Sequence, residues 1–72
     1  MEFYERLRDS RKDRDIGQKE LAKVLKISQQ QYSLYETGKR PLPAEYLSAL
    51  CLTLGVSADY LLGLPRDLEW PR

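Results

Sequence analysis

Hydrophobic residues along this chain recur at spacings of three and four, the period of an α-helix rather than of a strand. Phe3, Leu7 and the aliphatic stem of Arg11 share one face of a first helix, predicted over residues 2–14. The sequence shows no alternating strand pattern with hairpin signals and no internal repeat. The pattern therefore predicts an all-α chain whose helix ends are marked by glycine, serine and proline.

Three later helix starts carry the same apolar pair, the hydrophobic staple, in which a residue before the cap packs on one five positions later. With the cap in the middle, the triplets are Ile16, Gly17 and Leu21; Ile27, Ser28 and Tyr32; and Val56, Ser57 and Leu61. Glu20 and Gln31 occupy the third helical position, where each side chain can bond back to an amide at its own helix start. The first of these capping boxes is half formed, because glycine has no side-chain oxygen.

A fourth helix is predicted to begin near Pro43, since proline suits a first turn. Glu45 favours the same start, because an acid is stabilised at the positive end of the helix dipole. The helix should end at Gly55, a natural left-handed cap. Its buried stripe is predicted to consist of Leu47, Leu50, Cys51 and Leu54.

The last predicted helix runs from Ser57 to about Leu62 and closes at Gly63. A chain of 72 residues and 8.4 kDa has room for one small domain. We therefore expect a compact five-helix bundle over residues 1–63. Residues 64–72, which contain two prolines, are expected to form a tail.

Cysteine and histidine usage limits what can stabilise so small a domain. Cys51 is the single cysteine and histidine is absent, so neither an internal disulfide nor a usual zinc ligand set can form. No metal and no cofactor are therefore expected. A lone thiol suits a reducing compartment, and the charged residues 1–6 do not resemble a secretory signal. With no run of about eighteen apolar residues, the sequence predicts a soluble cytoplasmic protein without a membrane partner.

The lack of histidine also weakens an enzymatic interpretation, because that side chain is best suited to proton transfer near neutral pH. Pairs drawn from Asp9, Asp13 and Asp15 remain candidates for acid–base work or Mg²⁺ binding, and Cys51 remains a candidate nucleophile. The favoured interpretation is a solvated helix face with ion pairs, because basic residues surround these acids. Cys51 lies in an apolar run and is expected to be a small core residue. We do not expect an enzyme.

Charge is distributed unevenly along the chain, although the net charge is only +1. Residues 1–40 contain ten basic and seven acidic side chains, whereas residues 41–72 contain two basic and four acidic ones. A nucleic-acid surface, if present, should therefore lie on the N-terminal half. Its weak total charge predicts modest nonspecific affinity.

The second and third predicted helices begin eleven residues apart, at Gly17 and Ser28. A helix of about eight residues followed by a turn of three or four has the spacing of a helix-turn-helix motif. Ala22 has the small side chain that a close helix crossing needs. The seam between the two helices is predicted to consist of Leu21, Leu25, Ile27, Tyr32 and Tyr35.

The outer face of the third helix follows from a rotation of about 100° per residue. With the two tyrosines inward, the opposite face holds Gln30, Ser33, Leu34 and Thr37. The N-terminal end holds Ser28, Gln29 and Gln30. A glutamine amide can donate to and accept from adenine together, and a leucine can contact a thymine methyl. We interpret Gln29 and Gln30 as base-contacting residues, with inert surface as the alternative, whereas the capping box accounts for Gln31.

Three stretches of the sequence resemble the phage-repressor and Cro-type helix-turn-helix proteins, also called the XRE family. They are QKELA at residues 18–22, ISQQQYSLYETGKR at 27–40 and LGVSADYLLG at 54–63. The similarity extends from about residue 3 to residue 63. It implies a lambda-repressor-like five-helix domain that binds double-stranded DNA operators as a homodimer and regulates transcription.

The resemblance also implies roles for individual residues. The family's base-contacting positions are matched by Ser28, Gln29, Gln30 and Leu34, and the helical face adds Ser33. Gln18 matches a residue that contacts a DNA phosphate and supports the first glutamine of the third helix. The amide near Thr37 and the Lys39 side chain match further contacts to the DNA backbone. Arg40 extends that basic edge by proximity alone.

Glu36 stands at the C-terminal end of the third helix, where a carboxylate opposes the helix dipole and lies beside the expected phosphates. A neutralising partner is therefore expected. The family commonly pairs this glutamate with an arginine of the first helix, and the matching residue is Arg11. The resemblance thus implies a partly buried ion pair between Arg11 and Glu36, with a solvated glutamate as the alternative.

Three positions depart from the family pattern. Lys26 stands where the turn usually has a glycine in the left-handed region, and this costs about 1 kcal/mol of strain. Asp15 takes the other common glycine position, although aspartate tolerates that conformation. Tyr32 replaces the usual small branched residue. These differences prevent the transfer of any known operator sequence to this chain.

A domain of this size contacts only a few base pairs, so specificity is expected to require a homodimer on a palindromic operator with half-sites about one DNA turn apart. Apolar residues expected to be exposed for dimer contacts are Leu61, Leu64, Leu68 and Trp70. The alternative is that the Trp70 segment folds back onto the first helix. Since no effector domain follows the helices in this sequence, repression by operator occlusion is the expected mode.

Two rival functions remain open on this fold. The main one is a protein-interaction module, such as an antitoxin subunit or an anti-repressor partner, and the lesser one is a small enzyme. Operator binding should weaken steeply with ionic strength, because phosphate contacts release counterions. Salt dependence therefore distinguishes a DNA-binding protein from a protein-interaction module.

Overall fold

The structure, a computed structural model, describes residues 2–64, and each of its regular elements is helical. The α-helices are α1 (Phe3–Asp13), α2 (Gln18–Leu25), α3 (Gln29–Glu36), α4 (Leu47–Leu54) and α5 (Ala58–Leu62). A turn of 3-10 helix, Ala44–Tyr46, precedes α4. The prediction of an all-α fold with five α-helices is confirmed over this range.

Most helix ends lie where the cap residues predicted them. The Oγ atoms of Ser28 and Ser57 each accept a hydrogen bond from the amide three residues ahead, at 3.1 Å. α4 stops at Gly55, whose φ of +70° is one that residues with a Cβ atom rarely adopt. α1 begins with a contact that the pattern did not predict, in which the Glu2 amide donates to a carboxylate oxygen of Glu5 at 3.0 Å. Local side-chain chemistry thus accounts for these boundaries.

α4 begins later than predicted. The chain after Pro43 first forms the 3-10 turn, in which the Tyr46 amide donates to the Pro43 carbonyl at 3.1 Å, and the α-helix starts at Leu47. The Tyr46 ring lies on Tyr35 of α3, with ring centroids 6.1 Å apart. A proline favours the start of a helical turn, but it does not decide between the α and the 3-10 form.

One hydrophobic core lies between the helices, and each of the five contributes to it. Its buried members are Leu7, Leu21, Ala22, Leu25, Tyr32, Leu50, Leu54 and Leu61. α3 packs against α1 and α2, while α5 packs against α1 and α4. Burial of one leucine side chain contributes about 1.5–3 kcal/mol, so this cluster is the main source of stability. None of the described helices has the length and apolar character needed to cross a bilayer.

The prediction that Leu61 is exposed for dimer contacts is wrong. The side chain is fully buried in the core, because it completes the staple begun by Val56, which packs against the same cluster. Leu64 is 44% exposed, while Leu68 and Trp70 lie outside the described residues. In and just after α5, the exposed large apolar side chains are therefore Tyr60, Leu62 and Leu64.

The turn between α2 and α3 contains no glycine, and Lys26 takes the left-handed conformation with a φ of +61°. The Ile27 amide then donates to the Ala22 carbonyl at 3.0 Å and closes the end of α2. Asp15 takes the corresponding conformation after α1, with a φ of +60°. Residues with a Cβ atom thus occupy both positions at which the family pattern has glycine.

Replacement of Lys26 by glycine is expected to raise the free energy of unfolding by up to about 1 kcal/mol, because glycine removes the Cβ clash of the left-handed conformation. Urea denaturation followed by circular dichroism measures the change. Lys26→Ala is the matched control, since it removes the same charge and stem but keeps Cβ. Equal stability of the two variants would show that Lys26 is not strained.

Candidate nucleic-acid interface

α3 is anchored by two tyrosines on its inner face. Tyr32 is fully buried and Tyr35 almost so, as the helical pattern predicted. The Tyr35 ring packs on Tyr46, and its hydroxyl accepts a hydrogen bond from Gln31 Nε2 at 3.0 Å. α1 and α2 pack against the same helix. These contacts hold α3 at one rotation about its axis and so decide which side chains point outward.

Gln31 has a different partner from the one that the capping box predicted. Its amide donates to Ser28 Oγ as expected, but its side chain donates to the Tyr35 hydroxyl instead of reaching back to the Ser28 amide. Gln31 and Tyr35 lie four residues apart and share a helix face, so this spacing was a signal available in the sequence. Half of the predicted capping box is therefore present.

The outer face of α3 carries the candidate base-contacting side chains. Ser28, Gln29 and Gln30 are exposed at its N-terminal end, and Ser33 and Leu34 are half-buried along the face. Of the three consecutive glutamines, only the one at position 31 uses its side-chain amide in a hydrogen bond within residues 2–64. The other two amides each present donors and an acceptor to solvent. This arrangement suits a partner that offers donors and acceptors side by side.

The C-terminal end of α3 does not present free backbone amides. The amides of residues 37–40 donate to carbonyl oxygens of the last helical turn at 3.0–3.4 Å. Thr37 Oγ1 likewise donates to the Ser33 carbonyl, at 2.8 Å. The contact expected through the amide near Thr37 thus has no free donor in this conformation. Lys39 and Arg40 are exposed, so their side chains place two cations at this end.

Gly38 allows α1 to cover the end of α3. Its φ is +77°, and a Cβ atom at this position would lie 2.6 Å from a ring carbon of Tyr4. Glycine therefore satisfies two demands at once, the left-handed turn and the close approach of the Tyr4 ring. Both the packing of Tyr4 and the backbone conformation therefore require glycine at position 38.

An ion pair between α1 and α3 lies behind the outer face. Arg11 Nε donates to Glu36 Oε2 at 2.9 Å, and Arg11 Nη2 donates to Glu36 Oε1 at 2.8 Å. Arg11 Nη1 donates to the Ile16 carbonyl at 2.8 Å. The Glu36 side chain is 1% exposed and the Arg11 side chain 11% exposed. The partner that the resemblance implied for Glu36 is present in this two-pronged geometry, and the glutamate is not solvated.

Gln18, the first residue of α2, joins this pair. Its Nε2 atom donates to Glu36 Oε1 at 3.1 Å. The expected support of Gln29 by Gln18 is not made in this conformation, because the amide nitrogen is directed at Glu36. No local signal predicts the contact, since the two residues lie 18 positions apart. A phosphate contact by Gln18 stays a prediction.

Burial and hydrogen bonding together shift the pKa values of Arg11, Glu36 and the adjacent Tyr32. Burial acts to raise the pKa of Glu36, but hydrogen bonds led by that from Arg11 outweigh it and hold this pKa below its ordinary value. The bond to Glu36 in turn raises the pKa of Arg11. Burial, together with the nearby Glu36 carboxylate, raises the pKa of Tyr32, whose hydroxyl has no hydrogen-bond partner within the described residues. The shifts favour the charged forms of Arg11 and Glu36 and the neutral form of the Tyr32 phenol.

Neutralisation of Glu36 leaves the helix-turn-helix surface positive. The exposed charged residues between positions 17 and 40 are Lys19, Glu20, Lys23, Lys26, Lys39 and Arg40. Five cations therefore accompany one solvated anion. Such a balance attracts polyanions, and salt screens the attraction.

The candidate catalytic residues take ordinary environments. Asp9 lies 3.9 Å from Arg8 on an exposed surface, and Asp13 and Asp15 are exposed as well. Within residues 2–64, no group of three histidine, cysteine, aspartate or glutamate residues could hold a metal ion. Cys51 is half-buried against the core, and burial raises the pKa of its thiol, which disfavours a reactive thiolate.

Two short helices, the second anchored from beneath and polar on its outer face, define a helix-turn-helix domain. The Helix-turn-helix family model matches residues 7–61 of this chain. The chain therefore belongs to the helix-turn-helix family, of the phage-repressor and Cro type, and its five helices form a lambda-repressor-like fold. No solved structure gives a significant match.

Two relatives from Bacillus subtilis (strain 168) are similar to this chain. The first, the SPbeta prophage-derived uncharacterized HTH-type transcriptional regulator YonR, is 40% identical over 60 residues, which cover 83% of this chain and 56% of the relative. The second, the uncharacterized HTH-type transcriptional regulator YobD, is 34% identical over 65 residues, which cover 90% of this chain and 58% of the relative. The matched part thus spans a little over half the length of each relative.

Replacement of Arg11 by methionine is expected to lower the free energy of unfolding by about 3 kcal/mol, because it leaves the Glu36 carboxylate buried and unpaired. The double variant Arg11→Met with Glu36→Gln should recover part of that loss, since no buried charge remains. Urea denaturation of the parent, of Arg11→Met, of Glu36→Gln and of the double variant gives the coupling free energy between the two side chains.

Arg11→Lys is the control for geometry in this cycle, because it keeps the charge but loses the two-pronged contact. We expect its stability to lie between those of the parent and Arg11→Met. Strictly additive single and double variants would show that the two side chains do not interact.

The lowered pKa of Glu36 predicts that its contribution to stability is present above its unfolded pKa, near 4.5, and is lost as the pH falls through the lower folded value. The parent should therefore lose more stability than Glu36→Gln between pH 6 and about pH 3, since the amide imitates the protonated acid. Denaturation midpoints across this range measure the difference. A constant gap between the two proteins at every pH would contradict the pKa assignment.

Proposed function

We propose that this chain is a sequence-specific double-stranded DNA-binding regulator of transcription, with α3 placed in the major groove. The observation that carries the proposal is the outward, glutamine-tipped end of α3, held from beneath by Tyr32 and Tyr35. The positive helix-turn-helix surface supports it, because most of the affinity for DNA comes from phosphate neutralisation. The family and its regulator-named relatives are consistent with this assignment.

Base contacts are assigned to the outer face of α3. Gln29 and Gln30 each bring an amide that can pair with the donor and acceptor of an adenine edge, and Leu34 brings an apolar surface for a thymine methyl. Ser28 and Ser33 bring hydroxyls that can bond to more than one base. The N-terminal end of the helix carries most of these residues, as expected for a helix that enters the groove end first.

Backbone contacts are assigned to the edges of the same unit. Lys39 and Arg40 bring exposed cations just after α3. Gln18 is held by Glu36 at the start of α2, which positions its side chain beside α3. The Thr37 hydroxyl can donate a hydrogen bond to a phosphate only after it releases the Ser33 carbonyl.

We further propose that two copies bind a palindromic operator in the cytoplasm and repress by occlusion. One domain reaches only a few base pairs, so a homodimer doubles the sequence that is recognised. Occlusion requires nothing of the chain beyond stable occupancy of the operator.

The test begins with selection of bound DNA from a random pool, followed by affinity measurements on the selected site. Gln30→Ala should relax the base preference at one position, with a cost of about 1–3 kcal/mol on the preferred site and little change on unrelated DNA. Lys39→Ala is the comparison, since loss of a phosphate contact should weaken binding to all sequences alike.

The salt dependence of the parent separates the proposal from the protein-interaction alternative. Affinity should fall with ionic strength with a log–log slope of about −0.9 for each phosphate neutralised. A chain that selects no DNA at low salt, or a Gln30→Ala variant with unaltered base preference, would defeat the assignment of this face. If the chain selects no DNA at low salt, the protein-interaction module becomes the better-supported function.

A further inference from the structure

An apolar groove lies apart from the outer face of α3. It has a volume of about 380 Å³, and its walls come from the start of α1, the segment after α3, the start of α4 and the end of α5. The lining residues are Phe3, Pro41, Leu42, Ala44, Leu47 and Leu62. None of them is charged. Leu62 is 48% exposed, so part of this lining is left open to water by the described residues.

We infer that this groove is the docking site of residues 65–72 of the same chain, with Trp70 as the anchor. The described chain ends at Leu64, two residues after Leu62, which itself lines the groove. Trp70 lies six positions after Leu64, and an extended chain covers at most about 20 Å over six positions. Because Leu62 lines the groove only two positions before Leu64, a span of this length is enough for Trp70 to reach it.

The chemistry of residues 65–72 matches the groove. Leu68 and Trp70 lie two positions apart, so an extended backbone places both on one side. The charged residues Asp67 and Glu69 alternate with them along the sequence, so this pattern has one apolar and one charged side. An aromatic side chain buries about 150–250 Å² when it enters an apolar site.

A second copy of the chain is the less suitable occupant. Stable interfaces between proteins use about 20–30 residues on each side, whereas six residues line this groove. A tethered segment also meets its site at an effective concentration near the millimolar range, without the loss of a second molecule's freedom. Docking in this way leaves the outer face of α3 open, so the inference does not depend on DNA binding.

Trp70 is the single tryptophan of the chain, so selectively excited tryptophan fluorescence reports on it alone. We expect emission shifted to the blue and protected from acrylamide, with no change on hundredfold dilution. Leu62→Ser should shift the emission to the red and increase quenching severalfold. Leu52→Ser is the matched control, because Leu52 is 82% exposed and lies outside the groove, and it should change neither quantity.

A second pair of variants separates the loss of docking from a general loss of folding. Ala44 is exposed at the edge of the groove, so Ala44→Glu adds a charge there with little disturbance of the core, and Ser48→Glu adds the same charge at an exposed site of α4. Only Ala44→Glu should expose Trp70, while the circular dichroism spectra of both variants should match that of the parent.

Three outcomes overturn the inference. Water-exposed emission in the parent would show that Trp70 is not docked at all. Protection that disappears on dilution, together with dimer dissociation in sedimentation, would assign the contact to a second copy. Protection that survives both Leu62→Ser and Ala44→Glu would place Trp70 on another surface.

Discussion

The buried carboxylate of Glu36 is the constraint around which the helix-turn-helix is arranged. A glutamate at the C-terminal end of a helix opposes the dipole, and burial makes an unpaired charge there costly. Arg11 supplies the opposite charge from α1 and Gln18 supplies a further donor from α2. Three helices therefore meet at one side chain, and the surface in front of it stays positive.

Stability and geometry have different sources in this domain. A buried ion pair gains little net free energy, because desolvation of both ions offsets most of their attraction. Burial of apolar side chains contributes far more, and Tyr32 and the leucines of the core supply it. The pair formed by Arg11 and Glu36 instead sets how α1 and α3 lie against each other, together with the Tyr4 ring on Gly38. We attribute the placement of α1 against α3 to these polar and close contacts, and the rotation of α3 about its axis to its buried tyrosines. The stability of the domain comes mainly from the core.

The left-handed positions show which effect dominates when local and tertiary preferences disagree. Lys26 and Asp15 both carry a Cβ atom in a conformation that favours glycine, at a cost of about 1 kcal/mol for an ordinary residue. At the turn after Lys26, burial of Leu21 and Leu25 of α2 and of Tyr32 of α3 in the core outweighs that cost. Spacing between apolar residues, rather than a glycine, therefore sets the turn.

The sequence by itself determined the number of α-helices, most of their ends and the inward side of α3. These features depend on contacts within four or five residues, such as the Ser28 cap and the inward pair Tyr32 and Tyr35, so local patterns encode them. The staple of Val56 with Leu61 already indicated that Leu61 packs inward, and the 3-10 start of α4 rests on a local hydrogen bond from Tyr46 to Pro43. Tertiary structure alone decided the contact of Gln18 with Glu36 and the approach of the Tyr4 ring to Gly38. Each of these depends on which atom of a distant residue lies nearest after packing, and periodicity along the chain carries no such information.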